Sequence, residues 1–108
     1  AEYIDAIAVI TIDETPTLGT LTVTSAEGTA TGDTKITVNP AKENAGNVYK
    51  YKVAAEAVTV GYGQNLRNWS TWDGKADITA ATGQKITVVE CDGTYKALNA
   101  GSASVTAK

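Results

Sequence analysis

The sequence feature that most constrains the fold lies between residues 76 and 92, where two apolar segments flank a short corner. Ile78 belongs to the first segment, Thr82 and Gly83 form the corner, and an alternating segment follows it. One face of the alternating segment carries Ile86, Val88 and Glu90, and the other carries Lys85, Thr87, Val89 and Cys91. An apolar period of two that is bounded by glycine is typical of a half-buried β-strand. We therefore predict two strands joined by a corner, which is an arrangement that links the two sheets of a sandwich.

Turn signals recur through the rest of the chain at intervals of roughly 8–12 residues, which is the spacing of a β-sandwich. The clearest further strand covers residues 48–53, where Tyr49 and Tyr51 alternate with Lys50 and Lys52, so that both lysines are predicted to face solvent. The remaining predicted strands are residues 18–25, 35–38, 57–62, 69–72, 95–98 and 103–107. The chain is therefore predicted to be all-β, a single antiparallel β-sandwich of about seven to nine strands.

Composition supports this fold class. The chain has 108 residues, enough for one domain, and contains neither Phe nor Met. Its apolar residues are mostly Val, Ile and Ala, and β-branched side chains pack well on a pleated sheet. One of the two tryptophans should join the predicted core, which otherwise consists of Leu21, Val23, Ile36, Val38, Tyr49, Tyr51, Val53, Ile78, Ile86, Val88, Ala97 and Val105.

The N-terminal residues differ from the rest of the chain. An acidic pair and Pro16 close an apolar segment, so we divide the chain into an N-terminal apolar arm, residues 1–16, and a sandwich domain, residues 17–108. An apolar arm must be buried, either on its own domain as an edge strand or against a neighbouring subunit. The second alternative makes a homo-oligomer contact of Tyr3, Ile4, Ile7, Val9, Ile10 and Ile12.

Charge and composition argue against several classes of partner. The formal net charge is -3 and only 19% of residues are charged, without the cluster of Lys and Arg that nucleic acids or anionic membranes require. No apolar run approaches the roughly 20 residues of a membrane-spanning helix. The first residues also lack the basic region of a signal peptide. The single Cys rules out an internal disulfide, as expected of a protein assembled in the cytoplasm, although bacterial surface modules also lack Cys.

The chain offers little for catalysis. It contains no His, which removes the usual general base and the commonest transition-metal ligand. Cys91 is predicted to be a buried thiol whose pKa is raised by its acidic neighbours Glu90 and Asp92. These carboxylates, like the pair Asp13 and Glu14, are predicted to be solvated at strand ends. We therefore predict that the protein is not an enzyme and has no cofactor and no metal site.

One aromatic cluster has the composition of a binding site. Trp69 and Trp72 lie three residues apart, with Tyr62 nearby. Residues three apart on a strand face opposite ways, so one Trp can enter the core while the other stays at the surface. An exposed Trp or Tyr can stack on a sugar ring; alternatively, one Trp fills the core and the other covers a sheet edge. These three residues are the candidate contacts for a glycan or a protein partner.

Several segments resemble a known family. They are ITVNPA (residues 36–41), YKYKV (49–53), WSTWDG (69–74), ITAATGQKITVVECD (78–92) and YKALNAGSASVTA (95–107). Together they resemble the immunoglobulin-like or fibronectin-III-like β-sandwich domains of tailed-bacteriophage structural proteins, such as head decoration, head fibre and tail proteins. The resemblance implies a non-enzymatic structural module of a virion, assembled in the host cytoplasm. Such a module would brace the particle by contacting capsid or tail proteins, or would touch host-surface glycans weakly.

An alternative function comes from the aromatic cluster. In this alternative the chain is a glycan-binding or adhesion module of a bacterial cell-surface protein, and it acts at the cell surface.

Overall fold

The computed structural model describes residues 18–39, 42 and 44–108, so the predicted N-terminal arm lies outside the described residues. The described part contains eight strands and no helix. The strands are β1 Gly19–Thr20, β2 Thr22–Glu27, β3 Asp33–Asn39, β4 Val48–Ala54, β5 Ser70–Trp72, β6 Ile78–Thr79, β7 Lys85–Cys91 and β8 Ala97–Ser104. They form a five-stranded sheet in the order β1-β8-β7-β4-β5 and a three-stranded sheet in the order β2-β3-β6. The predicted all-β immunoglobulin-like sandwich is confirmed.

The corner around Gly83 joins the two sheets, as predicted. It connects β6 of the three-stranded sheet to β7 of the five-stranded sheet. Gly83 has a φ of 97°, a left-handed conformation that residues with a Cβ rarely adopt. Beside it, the Thr82 hydroxyl accepts a hydrogen bond from the Ala107 amide at 2.9 Å. The glycine therefore marks a turn between layers.

The first predicted strand, residues 18–25, is divided between the sheets. β1 pairs in parallel with β8, the one parallel pair among the described strands, whereas β2 pairs antiparallel with β3. Leu21 lies between the two strands, is only 3% exposed, and donates its amide to the Ala100 carbonyl at 2.8 Å. One segment of chain thus closes the sandwich along one side.

The prediction of two separate C-terminal strands is wrong; these were residues 95–98 and 103–107. The structure has one continuous strand, β8, which runs through Gly101. A Cβ placed on Gly101 would lie 2.1 Å from the carbonyl oxygen of Leu21. The glycine therefore permits a close approach of two backbones and does not end the strand.

The inner core between the sheets agrees closely with the prediction. Eight of the twelve predicted aliphatic and tyrosine core residues are buried there, and Val38, Tyr51 and Val53 are half-buried. The twelfth, Ala97, is buried on the other face of the five-stranded sheet. The tryptophan of the core is Trp72, whose ring centroid lies 5.4 Å from that of Tyr49. Its indole N–H donates to the Ala76 carbonyl at 2.7 Å, which satisfies the one polar atom of the ring.

The prediction that β7 is half-buried is wrong, because both of its faces are covered. Val89 and Cys91, on the face away from the inner core, are 0% exposed and form an outer cluster with Val60, Leu66 and Ala97. The outer cluster lies beneath residues 55–69, which we call the covering loop.

The covering loop includes residues 57–62, which were predicted as a strand and are irregular. Backbone hydrogen bonds from Gly63 to Ala97 (2.8 Å) and from Leu66 to Tyr95 (2.8 Å) hold the loop against the sheet. The Val58 amide also donates to the Thr87 hydroxyl of β7 at 3.0 Å. Asn65 also forms an isolated antiparallel bridge with Lys96, next to β8, so the loop pairs with the sheet at a single point and not as a strand.

Candidate surface site

The three candidate aromatic residues occupy different environments. Trp72 is 5% exposed in the inner core, so its ring is closed to a ligand. Trp69 is half-buried and packs against the outer cluster, on the opposite side of the sheet. Tyr62 is 47% exposed on the covering loop. The opposite orientations of the two tryptophans agree with strand alternation.

A groove of about 490 Å³ opens beside Trp69, at the place where β5 begins. Its residues come from β4, from the start of β5 with the two residues before it, and from β6, so it lies at the open side of the sandwich. The lining residues are Tyr51, Lys52, Val53, Asn68, Trp69, Ser70 and Thr79. The sequence indicates Trp69 as a candidate but not the groove, since β4, β5 and β6 meet there only through the tertiary fold.

The edge of β4 is partly unpaired in this groove. β5 pairs with β4 at Tyr49, Lys50 and Tyr51 only, whereas β7 pairs with β4 along its whole length. Among the described residues, none continues the pairing of β5 alongside residues 52–54. Since backbone N–H and C=O groups point to alternate sides along a strand, the groove presents unpaired backbone groups.

β5 is short because the chain turns away just before it. The Trp69 amide donates to the Leu66 carbonyl at 2.9 Å, and the Arg67 amide donates to the side-chain oxygen of Asn65 at 2.9 Å. These local turn bonds direct residues 65–69 over the outer face of the sheet. The pairing with β4 therefore stops at Ser70, and the groove remains open beyond it.

Lys50 lies behind Trp69 and was predicted to face solvent, which is wrong. Its side chain is 5% exposed. The ammonium donates to the Thr71 hydroxyl at 2.5 Å and to the Trp69 carbonyl at 3.3 Å, and it lies 4.5 Å from the centre of the Tyr95 ring. A buried cation requires such partners. The hydrogen-bond partners of Lys50 come from β5 and the residue before it. The period of β4 alone therefore could not predict that this lysine is buried.

Glu90 was predicted to be a solvated carboxylate and is instead fully buried. Its two carboxylate oxygens accept hydrogen bonds from the side-chain amides of Asn47 (2.7 Å) and Asn99 (3.2 Å). Burial raises the pKa of Tyr49, and the charge of the nearby Glu90 raises it further. The amide partners explain how a carboxylate is tolerated inside the sandwich.

Asp92 does lie in an exposed turn. Its carboxylate accepts hydrogen bonds from the hydroxyl (2.7 Å) and amide (2.8 Å) of Thr94 and from the Lys96 amide (3.1 Å). The Thr94 side chain and these backbone amides lower the pKa of Asp92. The charge of Asp92 in turn raises the pKa of the neighbouring Cys91 thiol.

The prediction for Cys91 is confirmed. The thiol is 0% exposed, and its burial, aided by the charge of Asp92, raises its pKa from 9.0 to about 11. A thiol with such a pKa is protonated at neutral pH and is a poor nucleophile. In the described part of the chain, no three Cys, Asp or Glu side chains are grouped so that they could hold a metal ion. The described residues also contain no helix with the length and apolarity needed to cross a membrane.

Comparisons with known proteins identify relatives. A family model described as the S-layer protein SbsC C-terminal domain matches residues 26–108. The crystal structure of the S-layer protein SbsC, domains 7, 8 and 9, is similar to this chain with a TM-score of 0.64 and 25% sequence identity. That similarity covers 82% of this chain but only 29% of the SbsC chain. A search of curated proteins found no match.

These findings correct the predicted relationship to bacteriophage structural proteins. The predicted virion, capsid and tail context is wrong, because the family model and the similar structure both describe S-layer proteins. The quoted segments describe the strand and turn pattern of an immunoglobulin-like sandwich, and many unrelated proteins share that pattern. The pattern was therefore informative about the fold and uninformative about the class of protein. Since the matched region covers most of the sequence, this chain belongs to the S-layer protein SbsC C-terminal domain family.

Proposed function

We propose that this chain is a structural module of a bacterial surface layer, that it acts at the cell surface, and that it has no catalytic role. The observation that carries the proposal is the family match over residues 26–108. The described side-chain chemistry supports it, since the thiol of Cys91 and the carboxylate of Glu90 are both fully buried. Groups that are closed to solvent cannot meet a substrate.

The fold suits a module that has to resist deformation. The central strand β7 is hydrogen-bonded on both sides, to β4 and to β8, and six of its seven residues are buried. Such a strand resists local opening because water cannot reach its backbone bonds. A module of a surface layer has to keep its shape while its edges and loops contact neighbours.

The proposed partners are further copies of this chain and other modules of the same surface protein. The proposed contact with another copy uses the N-terminal residues Tyr3, Ile4, Ile7, Val9, Ile10 and Ile12. Apolar side chains of this kind stabilise an interface when they leave water together.

Sedimentation velocity on the complete chain tests this proposal, over concentrations from micromolar to millimolar. We expect assemblies that grow with concentration, and a loss of assembly in a variant carrying Ile7→Asp and Ile10→Asp. Thr37→Asp, at an exposed position of β3, is the matched control and should assemble normally. A wild-type chain that stays monomeric throughout would overturn self-association as its function.

A second candidate function is glycan binding through Trp69; Tyr62, the other partly exposed candidate, lies outside the groove. The groove favours it, because it places the Trp69 ring beside the polar side chains of Asn68 and Ser70. Titration with cell-wall polysaccharides, followed by tryptophan fluorescence, should give a shift that disappears in Trp69→Phe. No shift with any polysaccharide would remove this candidate.

A further inference from the structure

We propose that the groove beside Lys52 receives residues 3–12 of a second copy of this chain, which bind as an added strand along the free edge of β4. The inference rests on the proposed function, and it names the surface on which the contact between copies forms.

The edge of β4 is partly unpaired where it lines the groove. Residues 52–54 of β4 are hydrogen-bonded to β7 on one side, and no described residue pairs with them on the other. A free edge is a template for an extended segment, which gains backbone hydrogen bonds and places alternate side chains into pockets. Three residues offer a short edge, so the single contact should be weak. Repetition across an array would then add strength.

Apolar surface is left open beside this edge. Tyr51 and Val53 pack against the inner core but remain half-buried, and both line the groove. They belong to the predicted core, whose other members are mostly buried. An incoming strand that places isoleucine or valine side chains here would complete the covering of these two residues.

The N-terminal segment and the groove carry charges of opposite sign. Residues 1–17 contain no Lys or Arg and four acidic residues, Glu2, Asp5, Asp13 and Glu14. The chain has 12 acidic and 9 basic residues, so residues 18–108 carry 8 acidic and 9 basic residues, a balance of +1 against -4 for the N-terminal segment. Of the described residues that line the groove, Lys52 alone has a charged side chain. An acidic segment is attracted to Lys52, and this attraction favours docking of the segment in the groove.

The reach of the N-terminal segment decides between docking on the same copy and docking on a second one. Residues 1–17 precede β1, which lies at one edge of the five-stranded sheet, while the groove lies along β4 near the other edge. From β1 to a strand added beside β4 is four strand spacings, about 19 Å in a straight line. Seven residue steps separate Ile12 from Gly19, and they span at most about 25 Å when extended. The chain cannot pass through the sheet, and a path over a layer packed about 10 Å from it and back to the opposite edge is longer than this.

A donor segment at one edge and an acceptor groove near the other make a head-to-tail contact. Such a contact joins different surfaces of two copies and continues as an open series unless the rotation closes a ring. The sequence of the segment suits the role, since Val9, Ile10 and Ile12 are β-branched residues that favour a strand. A polysaccharide is the other candidate occupant, but it would leave the backbone groups of β4 without strand partners.

The test uses complete chains and two kinds of variant. Ile10→Asp impairs the donor, while Ser70→Trp fills the groove and Lys52→Glu reverses its charge; residues 52 and 70 are exposed. Lys96→Glu, at an exposed position that does not line the groove, is the control for the change in charge. Circular dichroism verifies that each variant is folded, and sedimentation velocity measures assembly.

We expect wild type and Lys96→Glu to form growing series, Ile10→Asp and Ser70→Trp to be monomeric, and Lys52→Glu to associate about tenfold more weakly. A mixture of Ile10→Asp and Ser70→Trp should form one-to-one pairs and nothing larger, because it contains one working donor and one working groove. If Ser70→Trp and Lys52→Glu assemble like wild type, the groove is not the acceptor, although self-association itself survives. If wild type binds a polysaccharide, Ser70→Trp does not, and neither assembles, the groove is a glycan site and the inference is overturned.

Discussion

The two faces of β7 are buried to the same extent by very different covers. Ile86 and Val88, on the inner face, lie against the three-stranded sheet, and Val89 and Cys91, on the outer face, lie beneath the covering loop. All four are 0% exposed. The inner cover is a sheet whose strands are hydrogen-bonded to one another, whereas the outer cover is mostly irregular chain held by individual hydrogen bonds and one isolated β-bridge. Equal burial therefore need not mean equal resistance to opening, and the following changes test that difference.

The largest effect should come from Val88→Asp on the inner face. Val88 is 0% exposed, and an aspartate there would be a buried charge without a partner. We expect loss of the folded state, measured by near-ultraviolet circular dichroism and thermal unfolding. Thr24→Asp, at an exposed position of β2, should fold normally. A folded Val88→Asp chain would show that the inner face is wrongly assigned.

Leu66→Ala should show whether the outer cover opens more easily than the inner cover. Leu66 is 1% exposed in the outer cluster, and its truncation should cost about 2–4 kcal/mol locally. Because the covering loop can open without the sandwich, we expect faster trypsin cleavage after Arg67, an exposed residue of this loop. Ile86→Ala, the matched change on the inner face, should lower the urea midpoint without favouring that cleavage site. Equal cleavage patterns in both variants would mean that the two covers open as one unit.

The pH dependence of stability should report on Cys91. Its pKa is raised to about 11 in the folded chain, while the unfolded chain has the ordinary value of 9.0. Below pH 9 the thiol is protonated in both states, and above it the unfolded state loses the proton first. Stability should therefore fall as the pH rises from about 9 to 11, by up to about 2–3 kcal/mol from this group.

The comparison variant for this prediction is Cys91→Ala, whose stability should fall less steeply over the same range. Tyr49, whose pKa is also raised, adds a loss of the same sign in both chains. Urea titrations at a series of pH values give the two slopes. Identical slopes would show that burial does not hold the thiol protonated.

Tyr62→Ala should have the smallest effect on stability. Tyr62 is 47% exposed on the covering loop, and substitutions at such positions change stability by about 0.5 kcal/mol or less. Thermal unfolding measures the change. A loss well above this range would mean that Tyr62 helps to anchor the loop.

The inner core could be predicted from the sequence because its residues alternate along strands. Ile36, Ile86 and Val88 follow a period of two, and the corner at Gly83 correctly predicted the passage between sheets. The outer cluster could not be predicted, since Val60 and Leu66 come from irregular chain with no periodicity. The burial of Lys50 could not be predicted either, because its hydrogen-bond partners come from β5 and the residue before it.

The surface site was harder to predict than the core. The spacing of Trp69 and Trp72 indicated opposite orientations, but it did not say which of the two enters the core. The groove depends on the early end of β5 and on the position of Thr79 on β6, which are properties of the tertiary fold. The class of protein could not be deduced from strand and turn patterns, because those patterns specify an architecture that many proteins share.

Native-state hydrogen exchange of the complete chain tests most directly whether one sheet carries two covers of different stability. The amides of Gly63, Leu66 and Trp69 report on the covering loop, and those of β7 report on the sheet. We predict that the loop amides exchange through local opening at a lower free energy, while the β7 amides exchange only on global unfolding. If the loop and β7 exchange at the same free energy and respond equally to denaturant, the two covers form a single cooperative unit and this account is contradicted.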